Sequence, residues 1–187
     1  MLFSDLASYF RDLFFERKSV LKDIRFSVRL KDGPTDPRNY PKNYYPMVEW
    51  CTINDDRITA IPPAIALFGN VEALYISGRR ITALPPEIGQ LSELRRLDLW
   101  DNQLTALPPE IGQLDNLQDL NLEWNKLTVL PPEIGQLGNL KRLYLIRNPL
   151  TDLPDSLKRL YLERNGALEI TLDNKLLDRV LAEILNL

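Results

Sequence analysis

The sequence predicts an α/β solenoid: a short horseshoe arc with a parallel β-sheet on its concave side, irregular or 3₁₀ turns on its convex side, and helical caps at both ends. Three observations carry this. The string Thr-Ala-Leu-Pro-Pro-Glu-Ile-Gly-Gln-Leu at Thr82 recurs at Thr105 and, with Val129 in place of alanine, at Thr128, a period of 23 residues. Each copy is followed by the spacing L-x-x-L-x-L-x-x-N: Leu94, Leu97, Leu99 and Asn102, then Leu117, Leu120, Leu122 and Asn125, then Leu140, Leu143, Leu145 and Asn148. A unit of this size cannot bury its own apolar face, so such units must stack and share one core.

The elements follow in chain order. Residues 1–46 form a predicted cap and linker. Leu2, Leu6, Phe10, Leu13 and Phe14 make one helical stripe starting near Ser4, a suitable N-cap. Ile24, Phe26, Val28 and Leu30 alternate with Arg25, Ser27 and Arg29, the period of a strand. Residues 32–46 are rich in proline and tyrosine and contain several turn signals.

Residues 47–166 hold the repeats. Val48, Cys51, Ile53 and Asp56 fit the first strand; a degenerate copy over Ile58–Arg80 places Val71, Leu74 and Ile76 in the second, with Arg79 where asparagine stands elsewhere. After the three full copies comes a shortened one, Leu150–Gly166, whose Leu157, Leu160, Leu162 and Asn165 predict a sixth strand. Residues 167–187 are expected to cap the far end, with Leu176, Leu177, Val180, Leu181, Ile184 and Leu185 on one helical stripe.

Side-chain chemistry explains the repeat. In L-x-L the strand period of two turns both leucines inward and the middle residue outward. The asparagine turns the chain out of the strand, and its amide can satisfy backbone groups that would otherwise be buried unpaired. Paired prolines remove backbone donors and resist long helix, so the convex segments should be short 3₁₀ or irregular turns.

Composition narrows function. The 187 residues carry a formal charge of -3 with 26% charged residues, which suits neither a nucleic-acid nor a membrane specialist. No apolar run reaches the length of a membrane span, and Asp5, Arg11 and Asp12 interrupt the apolar start in a way a secretory signal does not. The absence of histidine removes the commonest general base and metal ligand. The single cysteine, Cys51, sits at an inward strand position as a core residue, and neither a disulfide framework nor a thiolate zinc site can be built. These features predict a non-enzymatic, cytoplasmic protein without cofactor or metal.

Residues 47–166 resemble the leucine-rich-repeat family, specifically its 23-residue LPxxIxxLxxLxxLxLxxN class, found in bacterial proteins and in intracellular Ras-associated repeat proteins. The resemblance implies a protein-binding role through the concave surface, in signalling or as a bacterial effector, and admits a small GTPase or a kinase-like protein as partner without selecting either. The stretch Leu150–Asn165 is also similar to the compact repeats of bacterial effector ligases, which implies an alternative role in recruiting a ligase substrate. The cysteine-dependent members of that group need a further domain after the repeats, whereas 21 residues follow Gly166 here and include no cysteine. A self-assembling structural protein is a third reading. A monomer or weak dimer is expected.

Where repeats are nearly identical, the shared positions build the scaffold and the differing ones carry information. The outward strand positions collect all three tryptophans, Trp50, Trp100 and Trp124, with Tyr75, Tyr144 and Tyr161. Tryptophan, tyrosine and arginine are the types that anchor interfaces, since each offers a large contact with a polar handle. Charge is predicted to run along the array: Asp98, Asp101, Asp119 and Glu123 in the middle, then Arg142, Arg147, Arg159 and Arg164 toward the C-terminal end; Arg96 and Asn121 are further outward positions. The carboxylates Asp98 and Asp119, or Asp101 and Glu123, are spaced to pair across strands; such pairs are also ordinary solvated charge. The predicted partner-binding face is therefore these sixteen residues.

Overall fold

The computed structural model describes residues 26–30, 48–53, 58–77 and 80–184. Their sheet has seven strands in sequence order: β1 (Phe26–Leu30), β2 (Val48–Ile53), β3 (Ala73–Ile76), β4 (Arg96–Asp98), β5 (Asp119–Asn121), β6 (Arg142–Tyr144) and β7 (Glu169–Thr171). Strands β2 to β7 run parallel, and β1 pairs antiparallel with β2, covering the edge that β2 would otherwise leave open. The predicted first helix, the linker over 32–46 and the turn residues Asp56 and Arg79 lie outside the described residues.

Register follows the repeat. Leu74, Leu97, Leu120 and Leu143 stand side by side on successive strands, all fully buried. Cys51 joins the same row beside Leu74 as a buried core residue, and burial pushes its thiol up to about 12. On the convex side each Pro-Pro pair opens a 3₁₀ turn, as at Pro86–Gln90 and Pro109–Gln113, closed by Ile88 N–H donating to Pro85 O and Ile111 N–H to Pro108 O. The glycine of each turn has a packing reason. A Cβ on Gly112 would lie 2.5 Å from the Glu133 carbonyl oxygen, so neighbouring turns approach too closely for a side chain.

The turns out of the strands are held by a ladder of buried asparagines. Asn125 donates through Nδ2 to Leu99 O at 2.9 Å and Leu122 O at 3.0 Å, while its Oδ1 accepts Leu104 N–H at 3.0 Å. Asn102 and Asn148 make the equivalent bonds one repeat either side. Each amide thus ties three backbone groups in two or three successive turns. A second ladder, not foreseen from the sequence, runs at the other end of the strands: Asn116 Nδ2 to Ser92 O and Asn139 Nδ2 to Asp115 O.

The sixth parallel strand exists, but not where the leucine spacing placed it. Residues Asp155–Glu163 form a helix, α1, and the strand is Glu169–Thr171, paired with Arg142–Tyr144. Leu150-Thr151-Asp152-Leu153-Pro154 aligns with Leu127-Thr128-Val129-Leu130-Pro131, which makes Leu157 and Leu160 the counterparts of the convex Ile134 and Leu137. Lys158 stands where the turn before has Gly135, so the residue that weakens helix is gone and the 3₁₀ turn gives way to an α-helix. The step from Tyr144 to its partner Thr171 is 27 residues, against 23 from Asn121 to Tyr144. The last repeat is lengthened, not shortened.

Helix α2 (Asn174–Ile184) closes this end, burying Leu176 and Val180 of the predicted stripe and half-burying Leu177, whereas Leu181 is exposed and the side chains of Ile184 and Leu185 lie outside the described residues. Lys158 of α1, only 6% exposed, clamps it by pairing with Glu183 at 2.6 Å and Asp152 at 3.0 Å.

Asn125→Ala is expected to cost about 2–4 kcal/mol, because it leaves buried N–H and C=O groups in adjacent turns without partners. Denaturant unfolding followed by circular dichroism measures this; a loss below about 0.5 kcal/mol would show that the ladder is not structural.

Candidate functional site

The outward side chains of β2 to β7 stand in two in-register columns. One holds Trp50, Ala73, Arg96, Asp119, Arg142 and Glu169; the other holds Thr52, Tyr75, Asp98, Asn121, Tyr144 and Thr171. Beyond the strand ends the chain continues through Trp100, Glu123, Ile146 and Asp173 into Asp101, Trp124, Arg147 and Asn174. Three predicted residues leave this face. Arg159 and Tyr161 belong to α1 and Arg164 caps its C-terminus, where it donates to Gly138 O at 2.8 Å. Glu169 and Thr171 take the places assigned to Arg159 and Tyr161, because the helix displaced the strand.

In the first column the charges neutralise one another. Asp119, 13% exposed, lies between Arg96 and Arg142: Arg96 reaches its Oδ2 through Nη2 at 3.2 Å, and Arg142 engages both oxygens, Nε on Oδ1 and Nη2 on Oδ2, the latter at 2.7 Å. Arg96 also donates to the Tyr75 hydroxyl at 3.3 Å. Hydrogen bonds from Arg142, with those from Arg96, hold the Asp119 carboxyl below its ordinary range. Asp119 is therefore not half of a carboxylate pair with Asp98.

The far ends of the strands are different. Asp98 Oδ1 accepts Trp100 N–H at 3.0 Å and Asn121 Oδ1 accepts Glu123 N–H at 3.1 Å, so each short side chain folds over the turn that follows it. Asp173, which the sequence reading overlooked, accepts Arg147 N–H at 3.0 Å. Burial, and the like charges of Asp98 and Asp173, raise the Glu123 carboxyl above its ordinary value. Trp100 and Trp124 are 40% and 50% exposed here, and the Arg147 guanidinium lies 5.0 Å from the centroid of the Trp124 ring. Trp50 and Tyr144 are half-buried.

The backbone marks the same place. Asp101, Trp124 and Arg147 have φ of 54°, 56° and 63°, the left-handed region, each just before a ladder asparagine. Aspartate visits that region readily; tryptophan does so at a cost of about 1 kcal/mol.

Charge runs across the strands, then, and not along the array as the sequence suggested. The N-terminal strand ends carry the Arg96–Asp119–Arg142 bracket, and the C-terminal ends carry carboxylates, the two tryptophans and Arg147. No group of three or more acidic, cysteine or histidine side chains among the described residues is arranged to hold a metal ion, and no helix among them is long and apolar enough to cross a membrane.

Comparison with known proteins places this geometry. Residues 86–164 match the leucine-rich repeat region family. No curated protein matches the chain. Among solved structures, a leucine-rich-repeat protein of Leptospira interrogans is 35% identical with a TM-score of 0.51, the match covering 64% of this chain and 35% of that one. The leucine-rich repeat domain of the type III effector XopL is 31% identical with a TM-score of 0.58, covering 65% of this chain and 43% of that one. A plant ice-binding protein is 30% identical with a TM-score of 0.54, covering 65% and 40%. The chain spans less than half the length of each of these structures.

Opposite pH responses are expected from two carboxylates on this face. Asp119 titrates low in the fold, so its contribution is present above the ordinary aspartate range and is lost as pH falls through the lowered value. Asp119→Asn should lower Tm at neutral pH, the gap closing as the solution is acidified. Glu123 titrates high, so ionising it is unfavourable to the fold as pH rises. Glu123→Gln should raise Tm at neutral pH and lose that gain in acid. Thermal melts across the acid range check both signs.

Proposed function

We propose that this chain, which matches the leucine-rich repeat region family over residues 86–164, docks another protein on its concave sheet and that its activity is binding, not catalysis. The observation that carries this reading is the pair of half-exposed tryptophans, Trp100 and Trp124, set together beside ordered charges on one face of a rigid sheet. Exposed apolar surface of this kind is unfavourable in water and becomes favourable once a partner covers it. Strain points the same way: Trp124 keeps a bulky side chain in a left-handed conformation where glycine, asparagine or aspartate would be easier. The binding face comprises Trp100, Trp124, Tyr75 and Tyr144, with Arg96, Asp98, Asp101, Glu123, Arg142 and Arg147 setting orientation.

The likeness to the repeat domain of a type III effector supports a narrower second reading, in which this arc is the recognition part of a secreted bacterial effector acting in the cytoplasm of another cell. Both readings use the same face.

The test is a capture experiment with the wild type and a Trp100→Ala/Trp124→Gly variant. Glycine suits the positive φ at position 124, so the variant should fold as well as the wild type, which circular dichroism confirms first. A protein captured by the wild type is expected to bind the variant about a hundredfold more weakly. Equal capture by the two would sink the concave-face reading.

A further inference from the structure

We propose that the C-terminal side of the concave sheet receives a basic segment of the partner protein, seating an arginine or lysine against Trp100 and Trp124 between the carboxylates of Asp98 and Glu123. This rests on the docking reading above and specifies the chemistry of the partner.

The two sides of the face differ in how far their charges are already met. On the N-terminal side Asp119 is bracketed by Arg96 and Arg142, so its charge is satisfied within the chain. On the other side no ion pair to Asp98 or Glu123 forms among the described residues. Asp98 is held in place by Trp100 N–H and Asp173 by Arg147 N–H, so neither carboxylate can swing away to a distant cation. The Glu123 carboxyl is raised first by burial and then by the like charges of both, and no ion pair among the described residues offsets them.

A cation from outside relieves this repulsion, and the tryptophans supply the second half of the recognition. An indole face attracts a guanidinium or ammonium, more strongly once water is excluded. Arg147 makes such a contact with Trp124 at 5.0 Å, an instance of the same recognition within the chain itself. A carboxylate beside an aromatic face is specific for arginine in particular, whose planar fork can hydrogen-bond the one while stacking on the other. The same carboxylates repel the phosphates of a nucleic acid. Complementary charge of this kind acts on orientation and association rate as well as affinity.

The experiment uses the whole chain and an acetylated peptide alternating arginine with serine, titrated by calorimetry and by tryptophan fluorescence. The peptide is expected to bind and a glutamate–serine peptide to fail. Asp98→Asn/Glu123→Gln should weaken binding by roughly tenfold, whereas Glu110→Gln/Glu133→Gln, which removes the same charge from the convex side, should leave it unchanged. Asparagine is structurally sound at position 98, since Asn121 makes the equivalent turn contact in the next repeat. Three outcomes overturn the inference: no binding of the arginine peptide, equal affinity in the Asp98/Glu123 variant, or spermine binding as tightly as the peptide. Capture of a partner that depends on Trp100 and Trp124 but ignores Asp98→Asn/Glu123→Gln would overturn this inference alone and leave the docking reading standing. Loss of both dependences would overturn both.

Discussion

The buried asparagine ladder is the constraint on which the arc depends. A strand of three residues cannot satisfy the chain that leaves it, because the turn must dive under the neighbouring repeat with its polar backbone groups shielded from water. Asn102, Asn125 and Asn148 solve this by spanning repeats: one amide serves the carbonyl of its own strand end, the carbonyl of the preceding one and an N–H of the turn between them. The leucine core supplies the larger share of the driving force and sets which face of each strand turns inward. The amides, being directional, set the spacing between repeats, and so the columns in which the outward side chains stand.

That division of labour left the concave face free to vary. The inward leucines, the asparagines and the close-packed Gly89 and Gly112 are each held by a specific contact. Positions such as 96, 98, 119, 121 and 123 answer only to their neighbours on the surface. What has settled there is not uniform. One side of the sheet ties its charges into the Arg96–Asp119–Arg142 bracket, which links three strands; the other keeps Glu123, whose ionised carboxylate the fold itself finds unfavourable. Groups that oppose folding and remain in place are candidates for function.

Most of the arc was legible in the sequence because its signal is both repeated and mechanistic. Leucine spacing, the asparagine and the proline pair each predict one structural outcome, and three copies remove ambiguity about register. The failure at the last repeat has a definite cause. Leu157, Leu160 and Leu162 reproduce the x-x-L-x-L spacing of a strand, but a helix also brings residues three apart to one face, and the lysine at position 158 in place of the turn glycine favours the helix. The true strand was visible too, as the alternation Leu168, Ile170, Leu172 followed by Asp173, four residues late for a strict 23-residue period. The direction of the charge gradient was not legible. It depends on which partner each side chain selects, and Asp119 pairing with both arginines is a fact of three-dimensional geometry that composition by strand does not contain.

A gradient across the strands constrains a partner in a way that a gradient along the array would not. Because each strand adds one more position to both sides, a partner lying along the arc keeps one flank against the arginine bracket and the other against tryptophans and carboxylates through several repeats. Reversing it end for end exchanges those flanks and moves a basic flank of the partner from the carboxylates to the internally paired bracket, which discriminates orientation. Length along the arc is then free to contribute affinity while the two sides set direction. The solenoid suits that arrangement because its repeats hold the sides parallel, and they are parallel because the asparagines fix one register from Asn102 to Asn148.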